Sequence, residues 1–388
     1  MMSRVGFIRA ECAAPTVPEK AIVLEDPSEI SRPTQSRPPT WVWVVLFVAA
    51  AVALMWMLYK SGVRQFSTGS FFIFPVMMIS MVMMMRSRMG GGDKKNRGSA
   101  KNQERADYLR KLDQLRADVH EAAKAQANEI SYHHPNPVDG SLATLIGTPR
   151  MWERAPAKRG NWGHVRVGVG VTRLRTKLTP PTKVPPPEFR ETVTTVAARE
   201  FLQAQNVVHD VPRPVHLFDQ IGWSFFGEPH QREIIQGVLR ALVCQLCVFH
   251  GPDDVQLAII TDDRLAWEWA KWLPHTADGS YVDACGPLRL IFGDVKSFMD
   301  RFGTEISALR PFAPMTEGTQ GPKRWLVVVV DLPGADCAEI TGKTGRLGVS
   351  LLEATGNENS VLANAQSAYL LDDIGNLLKA PDDQREAY

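Results

Sequence analysis

From Thr40 to Tyr59 the chain reads TWVWVVLFVAAAVALMWMLY, twenty residues without a charged side chain. Nothing else in the sequence restricts the fold as strongly. A helix rises about 1.5 Å per residue, so about 20 residues cross the roughly 30 Å hydrocarbon core of a bilayer. Trp41 and Trp43 stand at one end and Trp56 and Tyr59 at the other, where interfacial aromatic belts lie. Pro38 and Pro39 stop any helix upstream, and Lys60 marks the exit. A central Asp or Lys would cost a span about 2.5–3.5 kcal/mol, and none is present. The expectation is a membrane span rather than a buried core helix.

A second apolar run, FFIFPVMMISMVMMM (Phe71 to Met85), follows a polar link. Extended back to Ser67 and closed by snorkelling Arg86 and Arg88, it becomes long enough for a second span. Its six methionines are flexible and polarizable, suited either to lipid or to packing on other membrane helices. Arg86, Arg88, Lys94, Lys95, Arg97 and Lys101 crowd its exit, whereas the link carries only Lys60 and Arg64. The positive-inside bias then places both termini in the cytoplasm of a multi-pass plasma-membrane protein. That basic collar fits headgroup contact better than DNA binding, because it follows a span directly.

Averages hide this segment. Mean hydropathy is −0.15, as in an ordinary soluble protein. Lys plus Arg number 44 against 42 acidic residues, a formal charge of +2, which excludes a bulk nucleic-acid binder or an acidic disordered tail. Five scattered cysteines imply no disulfide framework. The 388 residues allow two or three domains.

Beyond Gly90-Gly91-Gly92, the residues Tyr108, Leu112, Leu115, Val119 and Ala122 recur at spacings of 4, 3, 4 and 3. This is a narrow heptad seam flanked by charge, expected to pair with another helix as a stalk. VRVGVGVTRL (Val165 to Leu174) alternates as a strand, and the proline-rich stretch from Lys177 to Glu188 reads as an extended linker. The organisation expected is therefore an N-terminal cytoplasmic segment (1–39), a transmembrane hairpin (40–89), a helical stalk (90–134), a connecting region (135–190) and an α/β domain (191–388).

In that last region apolar strands alternate with helices: strands at Ile221–Phe226, Val255–Thr261, Pro287–Phe292 and Trp325–Val330, helices at Pro229–Val248, Arg264–Trp272 and Val295–Leu309. The fold class is α/β, a mostly parallel sheet covered by helices on both faces. The strand WLVVVV ends in Asp331, the shape of a Walker B motif. A phosphate loop, GxxxxGK[ST], is missing. Gly342-Lys343-Thr344 is no substitute, since Cys337 stands where the first glycine belongs. Where such a loop should follow the first strand stand Gly227-Glu228-Pro229-His230-Gln231. Glu228 would repel phosphate and Pro229 removes a donor. Gly227, Glu228 and Asp331 are thus at most the remnant of a nucleotide site, with no catalytic residue and no metal set. Cys244, Cys247 and His250 lie near one another, but LVCQLCVF is an apolar helix face on which buried thiols are ordinary.

The N-terminal AIVLEDPSEISRP (Ala21 to Pro33), the paired apolar runs, LVCQLCVFHGPDDVQLAIITDD (Leu242 to Asp263), EWAKWLPH (Glu268 to His275) and KRWLVVVVD (Lys323 to Asp331) together resemble the EccC family. These are the membrane-anchored FtsK/SpoIIIE-type ATPases of type VII (ESX) secretion systems in mycobacteria and other actinobacteria. The resemblance implies that the residues after about 190 form a degenerate P-loop ATPase-like domain between stalk and motor. Leu332 then occupies the acidic position after Asp331. It also implies ATP and Mg²⁺ for the full-length family, partnership with other ESX inner-membrane components, hexamers of the subunit, and secreted proteins as substrates handled by motor modules these residues lack. The function expected is the anchor and coupling region of a secretion motor. Alternatives are the anchor of an FtsK-type DNA translocase and a membrane-tethered nucleotide-binding enzyme.

Overall fold

The computed structural model describes the chain except for residues 1–8, 10–11, 18–20, 28–39, 62–76, 78–79, 81–83, 85–91, 157–158, 184, 315–320, 363–366, 381–382 and 388, and some side chains inside helices and strands. The elements begin with β1 (Ile22–Val23), α1 (Thr40–Lys60), α2 (Gly92–His133), β2 (His164–Arg173), β3 (Leu178–Thr179), α3 (Thr192–Ala204) and β4 (Val207–His216). Next come β5 (Gly222–Phe226), a 3-10 turn (Pro229–Gln231) leading into α4 (Arg232–Phe249), β6 (Val255–Thr261) and α5 (Arg264–Trp267). The chain continues through β7 (Ala277–Asp283), β8 (Gly286–Arg289), β9 (Ile291–Phe292), α6 (Val295–Ser307), β10 (Trp325–Asp331) and α7 (Ala338–Thr341). It closes with β11 (Val349–Glu353), β12 (Ala368–Leu371), β13 (Leu377–Ala380) and β14 (Asp383–Ala387). Two compact units form, one from Lys20–Glu121 and Thr176–Asn206, the other from Met1–Glu19, Ala122–Arg175 and Val207–Tyr388.

In the smaller unit β1 pairs in parallel with β3, Ile22 opposite Leu178. The Tyr108 hydroxyl donates to the Glu25 carbonyl at 3.2 Å, and Lys111 meets the Glu25 carboxylate at 2.5 Å. Glu191 caps α3 by accepting the Thr194 N–H at 2.7 Å, and the Arg105 guanidinium forks onto its other oxygen at 2.9 and 2.6 Å. The heptad seam is already covered: Tyr108, Leu112 and Val119 are buried and Leu115 is half-buried within this one chain. A 3–4 spacing reports a face to be buried but not what buries it, so the expected partner helix is not required by these residues.

In the larger unit the main sheet runs β14-β13-β12-β5-β11-β10-β6-β9, with all neighbours from β12 to β9 parallel and β13 and β14 antiparallel at one edge. Side chains on a strand alternate between faces. Leu257, Ile259, Val327 and Val329 accordingly pack with Ile235, Leu239, Leu242 and Leu246 of α4. Ala258, Ile260, Val328 and Val330 pack with Phe298, Phe302 and Ile306 of α6 on the opposite face. Burial on both sides is why β6 and β10 read as unbroken apolar runs.

Two expectations need correction. The segment Pro287–Phe292 is not one strand: β8 folds back on β7 as a hairpin, and only Ile291–Phe292 joins the sheet, beside β6. In addition, β2 pairs with a strand the sequence reading passed over, β4, because Pro212 and Pro214 lie inside it. Proline is tolerated on an edge strand, and a two-stranded ribbon consists of edges.

Candidate functional site at the carboxyl edge of the sheet

Open parallel sheets bind ligands beyond the carboxyl ends of their strands. Here three of those ends carry the polar groups that matter, after β5, β10 and β11. β5 ends at Phe226 and the helical turn begins at Pro229, leaving only Gly227 and Glu228 between them. A phosphate loop presents a curl of free N–H groups before its helix. In this chain the Glu228 N–H donates to the Gln231 side-chain oxygen at 2.8 Å, and the Gln231 N–H returns to the Glu228 carbonyl at 2.8 Å. The Gln231 amide also donates to the Asp372 carbonyl at 3.1 Å. A Cβ on Gly227 would stand 2.8 Å from both the Gln231 oxygen and Ile235 Cδ1. The glycine is therefore needed for close packing of the first helical turn, and Gln231 fills the space an anion would use.

Asp331 closes β10 with 1% of its surface exposed. Its Oδ2 accepts from Gln236 Nε2 at 2.8 Å, from the Trp267 indole at 2.9 Å and, at longer range, from Thr261 Oγ1 at 3.5 Å. Its Oδ1 lies 3.6 Å from the Arg232 guanidinium, which is also paired with Asp262. A Walker B aspartate serves Mg²⁺ through free oxygen lone pairs. One oxygen of Asp331 is taken by neutral donors; the other makes no hydrogen bond and lies beside the Arg232 guanidinium of the first turn of α4, a positive charge that would repel a metal ion. Among the described residues no group of three His, Cys, Asp or Glu could hold a metal ion. Gly227, Glu228 and Asp331 do share one edge of the sheet, but the donors around them do not fit a magnesium nucleotide.

A second carboxylate stands on β11, the strand between β5 and β10. Glu353 is fully buried, and Ser360 Oγ donates to it at 2.5 Å. Burial pushes its carboxyl above the ordinary range, against hydrogen bonds from Ser360, Ser224 and Cys337. Burial and the neighbouring Glu353 likewise push the Cys337 thiol up. The sequence signal for Glu353 was the same as for Asp331, a charge closing an apolar run, yet β11 was not recognised as a strand. Gly342 follows α7 rather than a strand, so Gly342-Lys343-Thr344 lies away from any phosphate-loop position. Cys247 packs in the core of the larger unit, and the buried His250 ring accepts the Gly163 N–H at 3.0 Å rather than joining the thiols.

The end of α2 falls where the stalk was expected to stop, but the side chains that satisfy it were not foreseen. The last carbonyls of a helix lack internal partners. Here arginines supply them: Arg150 donates to the Tyr132 carbonyl at 2.8 Å, Arg154 to that of His133, and Arg166 to that of His134 at 3.5 Å. Arg154 also donates to the His164 carbonyl and stacks 3.9 Å from the Phe249 ring centroid. Only 4% exposed, it has its pKa pulled down to about 9 by burial.

Of the expected membrane contacts, Arg86 and Arg88 lie outside the described residues, as does most of the second apolar run. Trp41, Trp43 and Tyr59 fall within α1, and Lys94 and Lys95 within α2, but their side chains are not described. Among the described residues no helix is long and apolar enough to cross a membrane. The α1 backbone runs 21 residues, about 31 Å at roughly 1.5 Å each. Trp56 is exposed, with Lys60 Nζ 5.1 Å from its ring centroid.

No protein-family model matches the chain. Among curated proteins it is similar to the ESX-5 secretion system protein EccC5 of Mycobacterium marinum, 34% identical over 358 residues, 89% of this chain and 25% of that protein. It is similar also to the ESX secretion system protein EccC of Thermomonospora curvata, 30% identical over 347 residues, 88% of this chain and 25% of that one. Among solved structures, the cytoplasmic domain of the T. curvata type VII secretion ATPase EccC aligns at 12% identity and a TM-score of 0.34, over 45% of this chain and 24% of that one. The chain spans about a quarter of the length of the curated relatives it matches. Aligned over about nine-tenths of its own length at this identity, the chain belongs to the EccC family of ESX secretion-system proteins.

Proposed function

We propose that this chain is the membrane-anchoring and coupling region of a type VII secretion motor, and that its α/β domain is an adaptor that does not turn over ATP. In this reading α1 and the second apolar run hold the chain in the plasma membrane with both termini cytoplasmic. The long helix α2 carries motion between that anchor and the cytoplasmic sheet. Other ESX membrane components and further copies of the chain, in a hexamer, are its partners. The single observation behind the adaptor role is the closed β5–α4 connection, where Gln231 takes the place of an anion and Arg232 stands beside Asp331. The membrane role is supported by exposed apolar side chains on α1, with Leu46 60% and Met57 72% exposed. Exposed apolar rows of this kind mark an interaction surface or a lipid-facing one.

The test uses the full chain expressed in a bacterial membrane. After an alkaline wash it is expected to stay with the bilayer and, once solubilised in mild detergent, to release no phosphate from Mg·ATP above the blank. Release of the chain by the wash would overturn the anchor, and sustained turnover abolished by Asp331→Asn would overturn the adaptor.

A further inference from the structure

We propose that the larger unit carries a second binding site, for a phosphoryl-bearing small molecule, in the cavity between the end of α2 and the β2–β4 ribbon. This cavity measures about 540 Å³ and its lining includes His133, His134, Asn161, Arg173, Arg175 and Arg213. Small-molecule sites span roughly 300–1,000 Å³, so a diphosphate or a nucleotide fits by size. None of the sheet-edge groups described above lines it, and the inference does not depend on the anchor reading.

Three observations point to an oxyanion. His134 is among the residues that line the cavity, is 4% exposed, and holds a buried Nδ1 with no hydrogen-bond partner. A buried polar atom left without a partner costs about 1–3 kcal/mol, and a ligand that bonds to it removes that cost. Asn161 Nδ2 donates to His133 Nδ1 at 3.1 Å. That bond fixes the neutral tautomer with the proton on His133 Nε2, a donor for a ligand oxygen. Around the lining stand three guanidiniums and one carboxylate, Glu129, which Arg175 already neutralises at 2.5 Å. Arg213, also in the lining, donates to the Val171 carbonyl at 2.9 Å. The Arg173 guanidinium makes no ion pair or hydrogen bond among the described residues, and Arg173 is exposed. Guanidinium forks match phosphate oxygens in pairs. A cation would meet the arginines, and an apolar ligand would strand the imidazoles and the amide.

Burial holds His134 down to about 2 and His164 down to about 4, so both rings are neutral at pH 7. A neutral ring both donates and accepts, and it adds no charge that bulk anions would seek indiscriminately. Selectivity would then come from the pairing of oxygens to fixed donors.

Calorimetric titration of the full chain in detergent at about 50 mM salt tests this, with pyrophosphate and ADP as separate probes and no magnesium. One site per chain is expected for at least one probe, and Arg173→Glu is expected to weaken it at least tenfold. The same reversal at Arg116, an exposed position on α2, should leave binding unchanged. Pyrophosphate binding as tightly as ADP assigns the site to the phosphates alone, whereas ADP binding tenfold tighter assigns it to a nucleotide. His134→Ala should weaken the same probe, and Arg173→Glu keeps the test decisive if that variant misfolds. Binding of neither probe, or binding that Arg173→Glu leaves intact, would overturn the site.

Discussion

Asp331 shows how far a single residue can be read ahead of its surroundings. An apolar run closing in an acid marks the carboxyl end of a buried strand, and β10 ends on that residue. What the acid does there is decided by α4 and α5, through Gln236 and Trp267, which lie 95 and 64 positions away. No local pattern encodes that meeting. Two consequences can be measured. Asp331→Ala strips the acceptor from two buried donors, each worth about 1–3 kcal/mol when orphaned, so a loss of about 3 kcal/mol is expected in thermal melting of the detergent-solubilised chain. Asp331→Asn keeps one oxygen for the indole and should lose less than half of that. Because anything that binds only the folded state raises its melting temperature, Mg²⁺ on its own should leave the melting of the native chain unmoved. A rise abolished by Asp331→Asn would show that the carboxylate does hold the ion.

At the scale of elements, helices and strands with strong periodicity were legible and their joints were not. β6 and β10 follow the apolar runs that announced them, and α4 with its leading turn starts at Pro229. β4 was hidden by its prolines, and β11 and β12 by their shortness, since the strand β5 that both flank lies more than 120 residues earlier. Pro135 and Pro137 stand just beyond the end of α2, but the three arginines that satisfy the carbonyls there are scattered from 150 to 166. Arg154 is the one to change, since its guanidinium bridges the His133 and His164 carbonyls while buried. Arg154→Ala is expected to cost about 3 kcal/mol, from two orphaned carbonyls and lost stacking. Arg154→Lys should recover less than half, because an ammonium lacks the planar fork. Hydrogen exchange should quicken in the last turn of α2 before it does in β10. Equal quickening in both would mean that Arg154 supports the whole unit and not this joint.

At the scale of the molecule, averaged composition and averaged charge concealed both an apolar helix and a buried set of imidazoles. Burial lowers His164 and His275 to about 4, and takes His134 and His250 down as well. Above about pH 6.5, the ordinary histidine value, folded and unfolded chains both carry these rings neutral, so they make no difference to stability. As the pH falls below that value the unfolded chain takes up protons that the folded one refuses, and stability drops until the folded pKa values are reached. One pKa unit corresponds to about 1.4 kcal/mol, so His275 alone, 1% exposed, accounts for a loss of about 3 kcal/mol by pH 4. Glu353 works in the opposite sense, since a raised carboxyl takes its proton more readily when folded. It is one group against several, so melting temperature should begin to fall as the pH drops below about 6.5, ahead of the ordinary carboxylates, and go on falling to pH 4. His275→Gln, which removes one titrating ring, should flatten that slope measurably. A flat melting profile down to pH 4 in the native chain would show that water reaches these rings and that the larger unit is less closed around α4 than its packing indicates.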